Sequence, residues 1–171
     1  HLVVGWTRTP EGIGGYAVVG QRYDAARAAQ GGEFQVNVQP SYSYNGMSYP
    51  IGSYFESTPD ASFGGDDFLV TWSSSSMDIG VNEDRYDVAG RFFGPTGVPH
   101  GQAFRVNTST YYNDGCPSTT HLANGDFVVT WQQYNYTVGQ QGFGQVITPS
   151  GAKNGVEFPV DSDEAAGFVS A

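Results

Sequence analysis

A six-residue apolar stretch ending in tryptophan occurs three times in this chain, and no other feature constrains the fold as strongly. Residues 67–72 (DFLVTW) and 126–131 (DFVVTW) are near-identical copies, and residues 1–6 (HLVVGW) are a looser third copy. Short runs of β-branched and aromatic residues are typical of buried β-strands. All three tryptophans of the chain end this stretch, so the sequence predicts a threefold internal repeat.

A second block, of the same length in each copy, follows each tryptophan stretch and extends the repeat. Its three copies align without a gap, from a glycine-led strand to a Phe-x-Val-Asn/Asp ending, over residues 20–37, 90–107 and 144–161. Turn signals such as Pro95-Thr96-Gly97 and Asn124-Gly125 separate the strand-like runs. The pattern of each unit therefore predicts four short antiparallel strands. We place the units at about 1–66, 67–125 and 126–171, within one domain over residues 1–171, and the last unit ends early.

Tandem four-stranded units must close or stack to bury their faces. We therefore expect an all-β fold of three tandem four-stranded antiparallel repeats that resemble β-propeller blades. A β-trefoil-like fold and an open stacked array are the alternatives. The high glycine count of 24 and the aromatic content of 15% agree with short strands and tight turns.

The charge balance excludes some classes of partner. The formal net charge is −10, whereas binding to nucleic acid or to an anionic membrane needs a basic face. No apolar run is long enough to insert into a membrane. The single cysteine, Cys116, cannot form an internal disulfide. We expect it to be a small buried residue, and a free thiol or an intermolecular bridge is the alternative.

The repeated motifs resemble those of a known group of sequences. The Val-Val-Thr-Trp strand, the Gly-Gln-Arg-Tyr-Asp strand at 20–24 and the Glu-Phe-Gln-Val-Asn strand at 33–37 are similar to the Gly-Gly-Phe-Val-Val-Thr-Trp tandem repeats of large secreted bacterial proteins. Those repeats often accompany calcium-binding or adhesin-like regions. The resemblance covers nearly all of residues 1–171 and implies a module of an extracellular or cell-surface protein. It implies no catalytic residues.

Tyrosines in the variable loops are the candidates for ligand binding. Tyrosine and serine together make adaptable recognition surfaces for a glycan or a protein, and the alternative is that these rings pack over the sheet ends. By contrast, we expect Trp6, Trp72 and Trp131 to be core residues, because each closes an apolar strand. The binding candidates are Tyr42, Tyr44, Tyr49, Tyr54, Tyr111 and Tyr112.

Acidic residues in turns are weak candidates for a Ca²⁺ site, the only cofactor that the sequence suggests. Ca²⁺ is held by six to eight oxygen ligands, but no Asp-x-Asp-x-Asp-Gly loop is present, so solvated carboxylates are the simpler interpretation. The candidates are Asp66, Asp67, Asp84 and Asp87.

The two ends of the chain are complementary strands of the repeat. The strand expected at Phe168 and Val169 lacks the tryptophan stretch that follows it in the other units, and the stretch at Leu2, Val3 and Val4 lacks a preceding strand. These ends are expected to pair, either within one molecule or head-to-tail between molecules, as in a filament.

We therefore expect an extracellular structural or adhesive repeat module that assembles with itself. A lectin-like domain that binds carbohydrate through the tyrosine-rich loops is the alternative. The three histidines are scattered and accompany no nucleophile or metal motif. The sequence analysis accordingly predicts that the chain is not an enzyme.

Overall fold

The computed structural model describes residues 2–8, 16–37, 41–44, 47–50, 56–75 and 85–160. These residues form β-strands joined by turns, and none of them belongs to a helix that could cross a membrane. The strands are β1 (Leu2–Arg8), β2 (Ala17–Tyr23), β3 (Phe34–Gln35), β4 (Ser41–Tyr44), β5 (Met47–Pro50), β6 (Glu56–Gly64), β7 (Asp67–Ser74), β8 (Asp87–Phe93), β9 (Pro99–Arg105), β10 (Asn113–His121), β11 (Phe127–Asn135), β12 (Gly139–Ile147) and β13 (Lys153–Pro159).

Three antiparallel meanders make up the fold. The first sheet has the order β1-β2-β3, the second β6-β7-β8-β9 and the third β10-β11-β12-β13. The prediction of an all-β fold with blade-like repeated sheets is confirmed. The first sheet differs from the predicted pattern in having three described strands, because no described strand pairs with β1 on the side away from β2.

The tryptophan stretches occupy equivalent places in all three sheets. β7 pairs on one side with β8, in the register Phe68↔Phe93, and on the other side with β6. β11 lies between β10 and β12 in the same way. β6 and β10 each come from the segment before a tryptophan stretch, and they pack against each other. We call β6 and β10 the inner strands.

The long segment before β6 contains more structure than the sequence predicted. The sequence predicts a variable loop over residues 38–58. In the structure, β4 and β5 form a hairpin within this segment, with Tyr42 opposite Tyr49. The expectation of a loop was wrong at Tyr42, Tyr44 and Tyr49, because alternating tyrosine and serine suits a hairpin as well as a loop.

Two apolar clusters hold the sheets together, one at each junction between neighbouring sheets. Trp72 and Phe68 of the second sheet pack with Val18 and Val36 of the first sheet. The junction of the second and third sheets repeats this arrangement, with Phe127, Val129 and Trp131 packed on Val88 and Val106. The core is therefore a series of sheet-to-sheet contacts that use the same repeat positions each time.

A glycine beneath a phenylalanine ring recurs in each sheet. A Cβ placed on Gly20 would lie 2.7 Å from Phe34 Cζ, so the ring rests directly on the backbone of the neighbouring strand. This contact requires glycine, since any side chain would displace the ring. The pairs are Gly20 with Phe34, Gly90 with Phe104, and Gly144 with Phe158.

Candidate functional site

A cleft of about 230 Å³ lies where the second and third sheets meet, at the first residues of the inner strands. Residues of β6 and β7 line one side and residues of β10, β11 and β12 line the other. The lining residues are Ser57, Thr58, Ser73, Tyr86, Asn113, Asp114, Gly115, Cys116, Gln132, Tyr134 and Gln140.

Two matching β-bulges shape this end of the inner strands. The β6–β7 register shifts between Ser57 and Asp60, and the β10–β11 register shifts between Gly115 and Ser118. Thr58 and Cys116 occupy the bulges with positive φ angles of 48° and 51°, a backbone conformation that residues other than glycine seldom adopt. Proline follows in both strands, which makes this bulge a repeated feature of the fold.

Hydrogen bonds that meet at the Ser73 hydroxyl connect the two bulges. Cys116 N donates to Ser73 Oγ over 3.0 Å, and Ser73 Oγ lies 2.6 Å from Thr58 Oγ1. The sequence-based expectation that Cys116 is buried was wrong, because the bulge turns its side chain to the solvent. The cleft therefore presents a free thiol and several hydroxyl groups.

A buried carboxylate, Asp114, forms the floor of the cleft. Its Oδ1 accepts hydrogen bonds from Trp131 Nε1 and Gln133 Nε2, each over 3.0 Å, and its Oδ2 accepts one from Asn107 Nδ2 over 2.9 Å. Burial raises the pKa of Asp114 to about 6, while the bonds from Gln133 and Trp131 act in the opposite direction. Asp87 also accepts from Asn107 Nδ2, over 2.7 Å, so one amide connects two carboxylates.

The second sheet has an equivalent carboxylate at Glu56. Trp72 Nε1 donates to Glu56 Oε2 over 2.5 Å, and Ser74 Oγ donates to Glu56 Oε1 over 2.9 Å. Each inner strand thus carries, within its first two residues, an acid that accepts a hydrogen bond from the indole N–H of its own sheet's tryptophan. Burial raises the pKa of the nearby Tyr86, and the negative charge of Glu56 adds to this effect.

This pairing of an acid with tryptophan was missed in the sequence analysis. The loops before Glu56 and Asp114 differ in length, so the two acids do not align when the units are matched from their tryptophan stretches. A usable signal was present, since each acid stands three residues before the proline of the bulge.

The tyrosines predicted to bind a ligand are spread over different places. Tyr111 is 70% exposed, its ring packs edge-on against Tyr112, and the Arg85 guanidinium lies 4.7 Å from its centre. Neither Tyr111 nor Tyr112 lines the cleft. Tyr42, Tyr44 and Tyr49 belong to the β4–β5 hairpin, and Tyr54 lies outside the described residues.

The cleft uses two tyrosines that were not among these candidates. Tyr86 lines it from the start of the β8 segment, and Tyr134 lines it from β11. Tyr134 is 43% exposed and packs edge-on against Tyr136, which is itself exposed. The cleft therefore has an aromatic edge that faces solvent.

The acidic residues proposed for Ca²⁺ are not brought together. Asp67 begins β7 beside the His100 ring, whereas Asp87 is buried at the opposite end of the same sheet, where it pairs with Arg105. Asp66 lies in the turn before β7, and Asp84 is outside the described residues. Among the described residues, no group of three or more His, Cys, Asp or Glu side chains is placed to hold a metal ion.

The remaining predicted positions are the tryptophans expected in the core and the residues at the chain ends expected to pair. Trp72 and Trp131 are buried between sheets, whereas Trp6 on β1 is only half-buried. Val3 packs against the cluster between the first and second sheets. Leu2 and Val4 belong to β1, and Phe168 and Val169 lie outside the described residues.

Comparison with known proteins relates this fold to glycoside hydrolases. A thermostable family-43 glycoside hydrolase is 12% identical, with a TM-score of 0.50 over 93% of this chain and 53% of its own. An α-L-arabinofuranosidase from Lactobacillus brevis is 13% identical, with a TM-score of 0.51 over 89% of this chain and 51% of its own. No protein-family model matches the sequence, and neither does any curated protein.

These structures define the class of fold as β-propeller-like. The chain spans about half the length of each similar structure, and at this level of identity the likeness concerns the fold alone. The prediction that the chain is not an enzyme must be corrected. Both similar structures are glycoside hydrolases, so this arrangement of sheets is one that supports enzymatic activity.

Proposed function

We propose that the chain is a carbohydrate-recognition unit of an extracellular protein and that it binds a neutral sugar in the cleft between its second and third sheets. The cleft lining carries this proposal. Tyr86 and Tyr134 provide aromatic rings, while Gln132, Gln140 and Asn113 provide amides. Side-chain amides both donate and accept hydrogen bonds, as sugar hydroxyls do.

The charge of the cleft favours a neutral ligand. None of the lining residues is Lys, Arg or His, so a phosphate or carboxylate group would find no cation there. The one acid in the lining, Asp114, is 0% exposed and its oxygens accept three hydrogen bonds from the protein. Hydroxyl, amide and aromatic groups remain to contact a ligand, which is the chemistry of sugar recognition.

The likeness in fold supports the same ligand class. One similar structure is an α-L-arabinofuranosidase, and the other is a family-43 glycoside hydrolase. Oligosaccharides that contain arabinose are therefore the first probes to test. An adhesive role follows if the sugar belongs to a cell surface, and the net charge of −10 suits a soluble extracellular module.

The test is calorimetric titration of the chain with neutral arabino-oligosaccharides, and with oligogalacturonate as the charged comparison. We expect binding of the neutral sugars only. Tyr134→Ala and Gln132→Ala should each weaken binding about five- to thirtyfold, because an aromatic contact or a bidentate amide contact is worth about 1–2 kcal/mol. Each sugar is also assayed for hydrolysis, since the similar folds belong to hydrolases.

Tyr111→Ala is the matched control for Tyr134→Ala. Tyr111 is an exposed tyrosine that does not line the cleft, so its removal should leave sugar binding unchanged. Equal losses for the two variants would place the sugar elsewhere. Binding of oligogalacturonate in preference to the neutral sugars would contradict the proposed ligand class.

A further inference from the structure

The two junctions between sheets are built from one repeated pattern of residues. At the first junction Trp72 of the second sheet packs with Val36 of the first, and at the second junction Trp131 of the third sheet packs with Val106 of the second. Val36 and Val106 are both 0% exposed. A complete junction thus joins the valine face of one sheet to the tryptophan face of the next.

The third sheet presents a valine face that is partly exposed to solvent. Val160 follows β13 at the position of Val36 and Val106, and Val160 N donates to Gly142 O as Val106 N donates to Val88 O. Val160 is nevertheless 53% exposed. Phe158 corresponds to Phe104, which packs into the second junction, yet Phe158 is 37% exposed.

The first sheet presents the matching tryptophan face at the other end of the molecule. A Cβ on Gly5 would lie 3.2 Å from Pro59 of the second sheet, so Gly5 faces that sheet. Neighbouring strand residues point to opposite faces, and Trp6 therefore points away from the second sheet. Trp6 is only half-buried, unlike its buried counterparts Trp72 and Trp131.

We propose that the Val160 face of the third sheet binds the Trp6 face of the first sheet on a second copy of this chain. Each face is one half of a junction that the chain already forms twice, so the shape and chemistry of the partner are given by the internal junctions. Exposed apolar patches on a soluble protein mark interaction surfaces. Joining one face to a different face makes the contact head-to-tail.

The packing order places the two open faces on sheets that do not pack against each other. The first sheet packs on the second through β1 and β6, and the third packs on the second through β10 and β6. The described strands include no comparable packing of the first sheet on the third. The two open faces therefore lie at opposite ends of a row of three sheets. Both are exposed in the single chain, and a second copy covers them.

Electrostatics adds a dependence on salt. Each copy carries a net charge of −10, so two copies repel each other at a distance. Salt screens this repulsion and leaves the apolar contact in place. Association should therefore strengthen as the salt concentration rises.

The experiment measures mass by sedimentation over a range of protein and salt concentrations. The wild-type chain should shift from 18.3 kDa towards multiples of that mass as concentration increases. Val160→Glu should weaken association at least tenfold. Val156→Glu on β13 is the matched control, because Val156 is 85% exposed and has no counterpart in either junction cluster.

A mixing experiment tests the head-to-tail arrangement. Val160→Glu removes one face and Trp6→Gln removes the other, so each variant alone should remain a monomer. An equimolar mixture retains one intact contact and should form 1:1 pairs that do not grow further. Self-association of either variant alone as strong as that of the wild-type chain, or equal effects of Val160→Glu and Val156→Glu, would overturn the proposal. If Trp6→Gln does not fold, the comparison of the two valine variants still decides the question.

Discussion

Trp131 Nε1 donates a hydrogen bond to Asp114 Oδ1 over 3.0 Å, and this contact fastens the start of an inner strand to the centre of its own sheet. Trp72 makes the same bond to Glu56. The tryptophan stretch is thus more than an apolar strand. The indole N–H of its last residue also donates a hydrogen bond that offsets part of the free-energy cost of burying a carboxylate.

Replacement of Trp131 by phenylalanine should destabilise the fold by about 2–3 kcal/mol, because the buried Asp114 carboxylate loses a donor. Urea unfolding followed by circular dichroism measures this loss. Trp6→Phe is the control, since no described carboxylate accepts a bond from Trp6, and its effect should be clearly smaller. Similar losses in both variants would show that ring size matters and that the hydrogen bond does not.

The stability of the chain should depend on pH through Asp114. Its pKa is about 6 in the folded state and 3.8 in a model peptide, so the folded state takes up the proton first. Between about pH 6 and pH 4 this group therefore makes the fold more stable as the pH decreases, by an amount on the order of 2 kcal/mol. Above pH 6 the stabilisation is absent.

Chemical denaturation at several pH values tests this sign. Asp114→Asn has no titrating group at this position, so the difference in unfolding free energy between wild type and variant should change between pH 6 and pH 4. A constant difference over that interval would mean that Asp114 keeps an ordinary pKa in the folded protein.

Gly64→Ala should be strongly destabilising. A Cβ at this position would lie 2.4 Å from Phe127 Cζ and 2.7 Å from His121 Cδ2, and Phe127 is buried in the core. Overpacking of this kind costs about 1–3 kcal/mol. Gly32→Ala is the control, because no atom lies within 4 Å of its Cβ position and its φ is not positive. The two melting temperatures should differ by several degrees.

Arg27→Gly should stabilise the first sheet slightly. Arg27 ends a turn with a φ of 65°, and the equivalent turns carry Gly97 and Gly151, with φ of 83° and 82°. The left-handed conformation costs a non-glycine residue about 1–2 kcal/mol, and the greater freedom of glycine in the unfolded chain offsets part of that gain. We expect a net gain below about 1 kcal/mol in thermal unfolding. Gly97→Arg should have the opposite effect.

The sequence was sufficient to predict the sheets because their signals are local. β-Branched residues before Trp72 and Trp131 predict buried strands, and Gly97, Gly125 and Gly151 end turns with the positive φ that glycine accepts readily. Repetition then shows which strands are equivalent. These features predict a blade-like sheet without any knowledge of distant contacts.

The cleft could not be predicted in the same way, because it depends on contacts between sheets. Cys116 N donates to Ser73 Oγ across 43 positions of the sequence, and Asn107 of the second sheet connects Asp87 to Asp114 of the third. The bulges at Thr58 and Cys116 also change which face each residue presents. Periodicity alone gives no information about such a change.

The bulge in β6 separates residues that bond within their own sheet from residues that bond to the neighbouring sheet. Before the bulge, Glu56 bonds to the tryptophan of its own sheet. After it, Asp60 accepts from Thr119 N over 2.6 Å and Ser62 accepts from His121 N over 3.1 Å, both on the neighbouring inner strand. One strand is thereby tied to its own sheet at the cleft end and to the next sheet at the far end. The far end of β6 therefore aligns the second and third sheets, whereas Glu56 at the cleft end is held within the second sheet.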